Sequence, residues 1–164
     1  MKIKIKPKII NKKNFSKFGQ IIDTSKKSYI RINDGYAKRY DNLIKINTSI
    51  KKGKAIVSIF SAKKRLFPMK IDMMEKHPLG TQAFIPMKET TFITFVAPLG
   101  KKPEINKIES FIVPPGIGIN YKAGVWHFPL ISTEDMNYLV IDRKGSGNNL
   151  IIYNFEKEKV TLEL

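Results

Sequence analysis

Short apolar segments recur along most of this chain, and they constrain its fold more than any other feature. Each is rich in Ile, Val, Phe and Thr, and turn residues (Gly, Pro, Asn or Asp) separate it from the next. The predicted strands are SYIRIN, AKRYDNL, KAIVSIFSA, FPMKIDMME, TQAFIPM, TFITFVAP, SFIVP, GIGINY, VWHFPLIS, NYLVIDR and LIIYNF. Regularly spaced short strands are typical of antiparallel barrels and jelly rolls. We therefore predict a mostly β protein with a single domain, residues 1–164.

Only two segments of the sequence indicate helix. In NKKNFSKFGQ, Asn11 is a suitable N-cap, Phe15 and Phe18 fall on one face, and Gly19 is a suitable stop. A second short helical piece is predicted around residues 102–110. The fold class is thus mostly β with one or two short helices.

The formal net charge of +16 raises the question of nucleic-acid binding. Only four of the 30 basic residues are arginines, and no lysine run is longer than two. Base reading and tight phosphate binding favour the planar guanidinium, which can make two parallel hydrogen bonds. We therefore predict a solvated, lysine-rich surface and no nucleic-acid partner. The scarcity of arginine singles out Arg39 and Arg65 as residues with a chemical role.

Several functional classes lack their sequence signatures here. There is no cysteine, no apolar run of signal-peptide or membrane-span length, no P-loop, no dinucleotide-binding turn and no serine hydrolase elbow. We expect a soluble cytoplasmic protein with no membrane partner and no nucleotide cofactor. An enzyme of this kind would act on a small polar molecule.

Two short motifs carry the candidate chemistry. MMEKHPLGTQAF places Glu75 and His77 two residues apart, hence on one face of a strand, and Gln82 follows after a Pro-Leu-Gly turn. GVWH places His127 three residues after a glycine. These spacings match the two metal motifs of cupin barrels, with Glu75 and Gln82 as altered ligands, so we predict a cupin-like antiparallel β-barrel or jelly roll.

His77 and His127 are the only histidines of the chain, and both fall in these motifs. Glu75, His77, Gln82 and His127 could therefore converge in one barrel and hold a divalent metal. The simpler alternative is that both histidines are core or surface residues and that Glu75 is a surface carboxylate. For the end of the NYLVIDR strand, a local ion pair between Asp142 and Arg143 is the favoured interpretation.

The chain resembles the bacterial ureidoglycolate lyases in the segments FGQII, INDGYAKRYDNL, IFSAKKR, MEKHPLGTQAFIPM, INYKAGVWHFPL and YLVIDRKGSG. The resemblance runs from about Phe15 to Gly147 and implies a cupin-like barrel, a homodimer, and cleavage of (S)-ureidoglycolate to glyoxylate and urea. Nickel is the metal that it implies. One departure is Phe128, where the family often has a second histidine after Trp-His.

The implied reaction suggests roles for the candidate residues. His77 or His127 would handle the hydroxyl proton, or a metal would polarise the hydroxyl instead. Arg39 or Arg65 would bind the substrate carboxylate in two-pronged fashion. Weaker candidates for the ureido end of the substrate are Lys88, Tyr121 and Lys122.

Two other classes of function remain open at the level of sequence. The chain could be another cupin enzyme, an isomerase or amidohydrolase acting on a small hydroxy acid. It could also be a non-catalytic cupin that binds a small carboxylate.

Overall fold

The computed structural model describes residues 2–156 and 159–164. Strands dominate these residues, as predicted, and helical structure is limited to one short α-helix and three 3-10 turns. The strands are β1 (Lys2–Ile5), β2 (Lys8–Ile9), β3 (Gly19–Ile22), β4 (Ile30–Ile32), β5 (Ala37–Arg39), β6 (Lys54–Ala62), β7 (Met69–Ile71), β8 (Met73–Lys76), β9 (Gln82–Pro86), β10 (Phe92–Ala97), β11 (Glu109–Val113), β12 (Gly118–Tyr121), β13 (Trp126–His127), β14 (Ile131–Ser132), β15 (Met136–Lys144), β16 (Ile151–Asn154) and β17 (Lys159–Leu162). The helix α1 spans Lys12–Phe15, and the 3-10 turns span Asn33–Gly35, Ile50–Lys52 and Ile105–Lys107.

The strands form three main sheets and a small hairpin. Sheet I has the order β16-β8-β13-β10-β11-β2, with β14 also paired to β10. Sheet II has the order β3-β12-β9-β15-β6, sheet III the order β1-β17-β7, and β4 pairs with β5. Antiparallel pairing predominates, but β1 runs parallel to β17 and β2 runs parallel to β11.

Sheet I is the middle layer and is covered on both faces. Along β10, Phe92 and Val96 pack in a cluster with sheet II, whereas Ile93 and Phe95 pack in a second cluster with sheet III. Each fully buried side chain of this size contributes about 1.5–3 kcal/mol. The architecture agrees with the predicted cupin-like fold in the form of a sandwich, since no pairing among the described strands closes sheets I and II into one barrel.

Several predicted boundaries are corrected by the structure. The segment predicted as one strand over residues 67–75 is two strands, β7 and β8, which belong to sheets III and I. The predicted strand over residues 37–43 is β5 alone, in an exposed hairpin followed by irregular chain. The terminal strands β1, β2, β3 and β17 were not predicted. Strand periodicity is local, whereas the choice of sheet depends on partners far away in the chain.

The helix predictions are confirmed in part. Asn11 is the N-cap of α1, and it forms a reciprocal capping box with Asn14. Phe15 and Phe18 are both fully buried. Gly19 is not a helix stop, because it begins β3, where a side chain would overlap the carbonyl oxygen of Asn120.

The second helical prediction, around residues 102–110, is too long. Only Ile105–Lys107 forms a single 3-10 turn, and β11 begins at Glu109. No helix among the described residues is long and apolar enough to cross a membrane.

Candidate active site

Two adjacent strands of sheet I bring Glu75, His77 and His127 together. Glu75 on β8 pairs directly with His127 on β13, and His77 follows the end of β8 on the same face as Glu75. The Nε2 atoms of His77 and His127 lie 3.7 and 3.6 Å from Oε1 of Glu75, and the two imidazole centroids are 5.2 Å apart. The sequence prediction that both motifs meet is therefore realised for these three residues.

Backbone carbonyls orient both imidazoles. Nδ1 of His77 lies 2.8 Å from the carbonyl oxygen of Asn149, and Nδ1 of His127 lies 3.0 Å from that of Val125. A carbonyl oxygen only accepts, so each Nδ1 is the donor, and each neutral ring keeps its lone pair on Nε2. Both Nε2 atoms are buried without a hydrogen-bond partner among the described residues. They are available to a ligand, a proton or a metal ion.

Burial and charge separate the proton affinities of the two histidines. Burial lowers the pKa of His127 below its ordinary value, and the neighbouring His77 adds to this effect. Burial also acts to lower the pKa of His77, but Glu75, the Asn149 carbonyl and the charge of Asp142 outweigh it and raise this pKa. The pKa of Glu75 is lowered because the two imidazoles outweigh the opposing effect of burial. The site thus combines an ionised carboxylate, a weakly basic imidazole and a more basic one.

Sheet II supplies the facing wall of the site. Gln82 on β9 pairs with Tyr121 on β12, and both side chains are buried. The ring of Tyr121 stacks on His127 at a centroid distance of 4.4 Å, and its hydroxyl is 2.6 Å from Oγ1 of Thr94. Burial raises the pKa of Tyr121 above its ordinary value, so the phenol is neutral. Tyr121 therefore acts on His127 through its ring, and its hydroxyl is already engaged.

Asp142 and Arg143 do not form the predicted ion pair. Arg143 donates to the carbonyl oxygens of Ile50 and Ser146, and no ion pair with Asp142 occurs among the described residues. Consecutive residues of a strand point to opposite faces, which separates the two side chains. Asp142 instead lies on the face of β15 that carries Val140 of the core, and its charge contributes to the raised pKa of His77.

Four other predicted site residues are exposed, and three of them have partners elsewhere. Arg39 donates to Asp41 at 2.7 Å, Arg65 is solvent-exposed, and Lys88 and Lys122 donate to backbone carbonyl oxygens. Among residues 2–156 and 159–164, no hydrogen bond or ion pair joins any of these four side chains to Glu75, His77, Gln82 or His127.

Phe128 points away from the imidazoles. It packs with Trp126 in the cluster between sheets I and III, whereas His127 between them faces sheet II. The phenylalanine at position 128 therefore alters the apolar cluster between sheets I and III, here called the outer core, and leaves the cluster of Glu75, His77 and His127 intact.

The Phe128→His variant is expected to keep its catalytic activity within about threefold of the parent. It should lose about 1–3 kcal/mol of unfolding free energy, because the new imidazole is buried without a partner. Denaturant unfolding and steady-state kinetics measure the two quantities. A large change in KM with unchanged stability would contradict this placement.

The donor set fits a divalent metal ion. The ligand atoms of Glu75, His77 and His127 all lie within 4.8 Å of one another. The distances from Oε1 of Glu75 to the two Nε2 atoms are too long for hydrogen bonds. Two atoms that each bind the same ion at about 2.1 Å can be at most about 4.2 Å apart. Both distances fall below this limit. Carbonyl groups that hold the Nδ1 atoms are the usual outer partners of metal-binding histidines.

Comparison with known proteins identifies the family. A model of the ureidoglycolate lyase family matches residues 2–163, nearly the whole chain. The chain belongs to this family. A ureidoglycolate lyase of Pseudomonas aeruginosa (strain LESB58) is 41% identical over 161 residues, which cover 98% of this chain and 94% of the relative.

Other members of the ureidoglycolate lyase family show similar agreement. The protein of that name from Stutzerimonas stutzeri is 40% identical over 93% of this chain and 91% of its own length. The protein of that name from Azotobacter vinelandii is 39% identical over 93% of each chain. The match to the family model, over residues 2–163, includes the Glu75 motif, the His127 motif and Phe128.

Two residues near the cluster of Glu75, His77 and His127 were not identified from the sequence. Asp142 shares the strand face of Val140, so period-two alternation could have identified it. Asn149 could not be found in this way, because it holds His77 with its backbone carbonyl and the nitrogen of Leu79 with its side chain.

Proposed function

We propose that this protein cleaves (S)-ureidoglycolate to glyoxylate and urea. The observation that carries the proposal is a pair of buried Nε2 atoms that face one carboxylate and have no hydrogen-bond partner among the described residues. The pKa values of the two histidines are shifted in opposite directions. Membership of the ureidoglycolate lyase family supports the choice of substrate.

The reaction needs one base and one acid and consumes no water. The hydroxyl group on the central carbon loses its proton, a carbonyl forms, and the bond from that carbon to the ureido nitrogen breaks. The departing nitrogen takes a proton and leaves as urea. Both protons move near neutral pH, where imidazole is the most effective side chain.

The environments of the two histidines suit these two tasks. His127 is held neutral by burial, so its Nε2 is free to accept the hydroxyl proton. His77 has a raised pKa and is the better donor to the leaving nitrogen. Glu75 lies between the two rings and stabilises whichever imidazole carries the proton.

In the alternative form of the site, Glu75, His77 and His127, with Gln82 as a fourth ligand, would hold a divalent ion, and the Nε2 atoms would then be ligands instead of exchanging protons. Nickel is the ion that the family resemblance favours. When bound, such an ion supplies Lewis acidity toward the substrate hydroxyl. The buried Oε1 of Gln82 supports the fourth assignment, since no hydrogen bond satisfies it among the described residues.

The remaining substrate contacts stay predictions. Binding of the carboxylate by Arg39 or Arg65, and of the ureido end by Lys88 or Lys122, requires these exposed side chains to approach the site. Tyr121 is already beside His127 and needs no such movement.

We further propose a cytoplasmic, single-domain homodimer. Support for the dimer comes from β6, an edge strand of sheet II that exposes Val57, Ile59 and Phe60. Light scattering after size-exclusion chromatography measures the mass. A monomer at micromolar concentration would reject the assembly and leave the reaction untouched.

The activity test is the measurement of urea and glyoxylate released from (S)-ureidoglycolate. Equal amounts of the two products are expected. The assay is repeated after a chelator and after return of nickel or manganese. Loss with chelator and recovery with metal would support the four-ligand site, whereas unchanged turnover would assign the proton transfers to the imidazoles alone.

The same assay tests the alternatives. Ammonia without urea would indicate an amidohydrolase. Thermal stabilisation by small carboxylates without any product would indicate a binding cupin.

A further inference from the structure

A buried carboxylate oxygen of sheet II has no hydrogen-bond partner among the described residues. Oδ1 of Asp142 is shielded from solvent and accepts no hydrogen bond from the described residues. A buried acceptor without a partner destabilises the folded protein, and more so when it is charged. A buried acceptor of this kind points to a ligand that donates to it.

Strand register places Asp142 in one row with two residues of the site. Tyr121 pairs with Gln82, and Val140 pairs with Phe84. Continuing the antiparallel register from Val140 sets Asp142 opposite Gln82, about 4.8 Å away across the sheet. The row therefore runs from Tyr121 through Gln82 to Asp142.

Alternation sets the face on which Asp142 lies. Tyr121, Phe84 and Val140 all belong to the core cluster between sheets I and II. Gln82 and Asp142 are two residues from Phe84 and Val140, so they share that face. This face of sheet II looks toward Glu75, His77 and His127 of sheet I. The contribution of Asp142 to the pKa of His77 agrees with this placement.

Asp142 is nevertheless outside the metal-ligand cluster. The described acidic and histidine ligand atoms that lie within 4.8 Å of one another are those of Glu75, His77 and His127. Asp142 lies beyond this group and has no arginine partner among the described side chains, since Arg143 donates to carbonyl oxygens on the other face of β15. Its carboxylate is thus free for a part of the substrate that does not react.

We propose that Asp142 is a specificity residue that accepts hydrogen bonds from the N–H groups of the ureido end of the substrate. This inference rests on the proposed function. A ureido group presents several N–H donors, and a carboxylate has acceptors only. A plain hydroxy acid offers no such donor and would leave the carboxylate unpaired, so the site rejects it.

The test is a binding comparison that does not depend on turnover. N-carbamoylglycine carries the carboxylate and the ureido group but lacks the hydroxyl group, so it cannot release urea by this reaction. The comparison ligand is 4-oxopentanoate, in which CH2 and CH3 groups stand where N-carbamoylglycine has its NH and NH2 groups, with little change of shape. Calorimetric titration measures the affinity of the protein, supplied with nickel, for each of the two ligands.

The parent protein is expected to bind N-carbamoylglycine about 10- to 100-fold more tightly than 4-oxopentanoate, the range for a hydrogen bond to a charged group. Asp142→Ala should abolish this preference, and Asp142→Asn, which keeps one acceptor and nearly the same shape, should retain part of it. The control Asp72→Asn makes the same charge change at an exposed position and should retain the full preference.

Two results would overturn the proposal: no preference in the parent protein, or a full preference in a folded Asp142→Ala variant. The proposed function can fail separately. A parent protein that prefers N-carbamoylglycine through Asp142 but releases no urea would keep this subsite and reject the lyase activity.

Discussion

The His127→Ala variant is expected to lose about 10²- to 10⁴-fold in kcat/KM for (S)-ureidoglycolate while it remains folded. His127 is the most deeply buried member of the cluster, and its Nε2 faces Glu75 at 3.6 Å. Its removal takes away the proposed base of the metal-free reaction, or one proposed ligand where a metal ion is bound. The measurement is steady-state kinetics beside a thermal unfolding curve.

Some loss of stability will accompany this substitution. The stacked pair with Tyr121 contributes about 0.5–1.5 kcal/mol beyond its buried area. Phe128→Leu is the matched control, because it trims the neighbouring buried ring on the opposite face and leaves the cluster whole. A His127→Ala protein with kcat/KM within tenfold of the parent would exclude His127 from the reaction.

The Glu75→Gln variant is expected to be the second most damaging change. Gln has nearly the same shape but no charge, and both imidazoles lose the carboxylate between them. The affinity for the proposed nickel ion should fall by at least about 100-fold, because even outer partners of a metal site typically contribute 10- to 100-fold. Equilibrium dialysis measures the affinity, and turnover should fall with it.

Titration of the two histidines by NMR is a second measurement of the effect of Glu75→Gln, made on protein from which a chelator has removed metal ions. The pKa of His77 is raised by Glu75 against the opposing effect of burial, so it should fall when the charge is removed. The control Glu89→Gln removes an exposed carboxylate and should leave both histidine titrations unchanged. An unchanged His77 titration in Glu75→Gln would show that Glu75 does not set its proton affinity.

The predictions from sequence were best where chemistry depends on local spacing. Glu75 and His77 share a face because side chains alternate with period two, whatever the rest of the fold does. Asn11 caps α1 for an equally local reason, since its side chain needs only the nitrogen of Asn14.

The predictions were worst where a side chain meets a distant segment. Arg143 was expected to pair with Asp142, but it donates to the carbonyl oxygen of Ile50, more than ninety positions away in the chain. Gly19 was expected to end a helix, but the nearby carbonyl of Asn120 is what requires a glycine there.

The sequence by itself determined the β class of the fold and the two motifs that carry Glu75, His77 and His127. Those properties follow from periodicity and spacing over a few residues. Only the tertiary structure decided that Glu75 pairs with His127 and that the β15 end carrying Asp142 lies beside the β9 strand of Gln82 and, next to it, the β12 strand of Tyr121. It also decided that Phe128 faces sheet III. Which strands become neighbours, and what covers each face, depends on contacts between residues far apart in the chain, and a single sequence does not encode these in any local pattern.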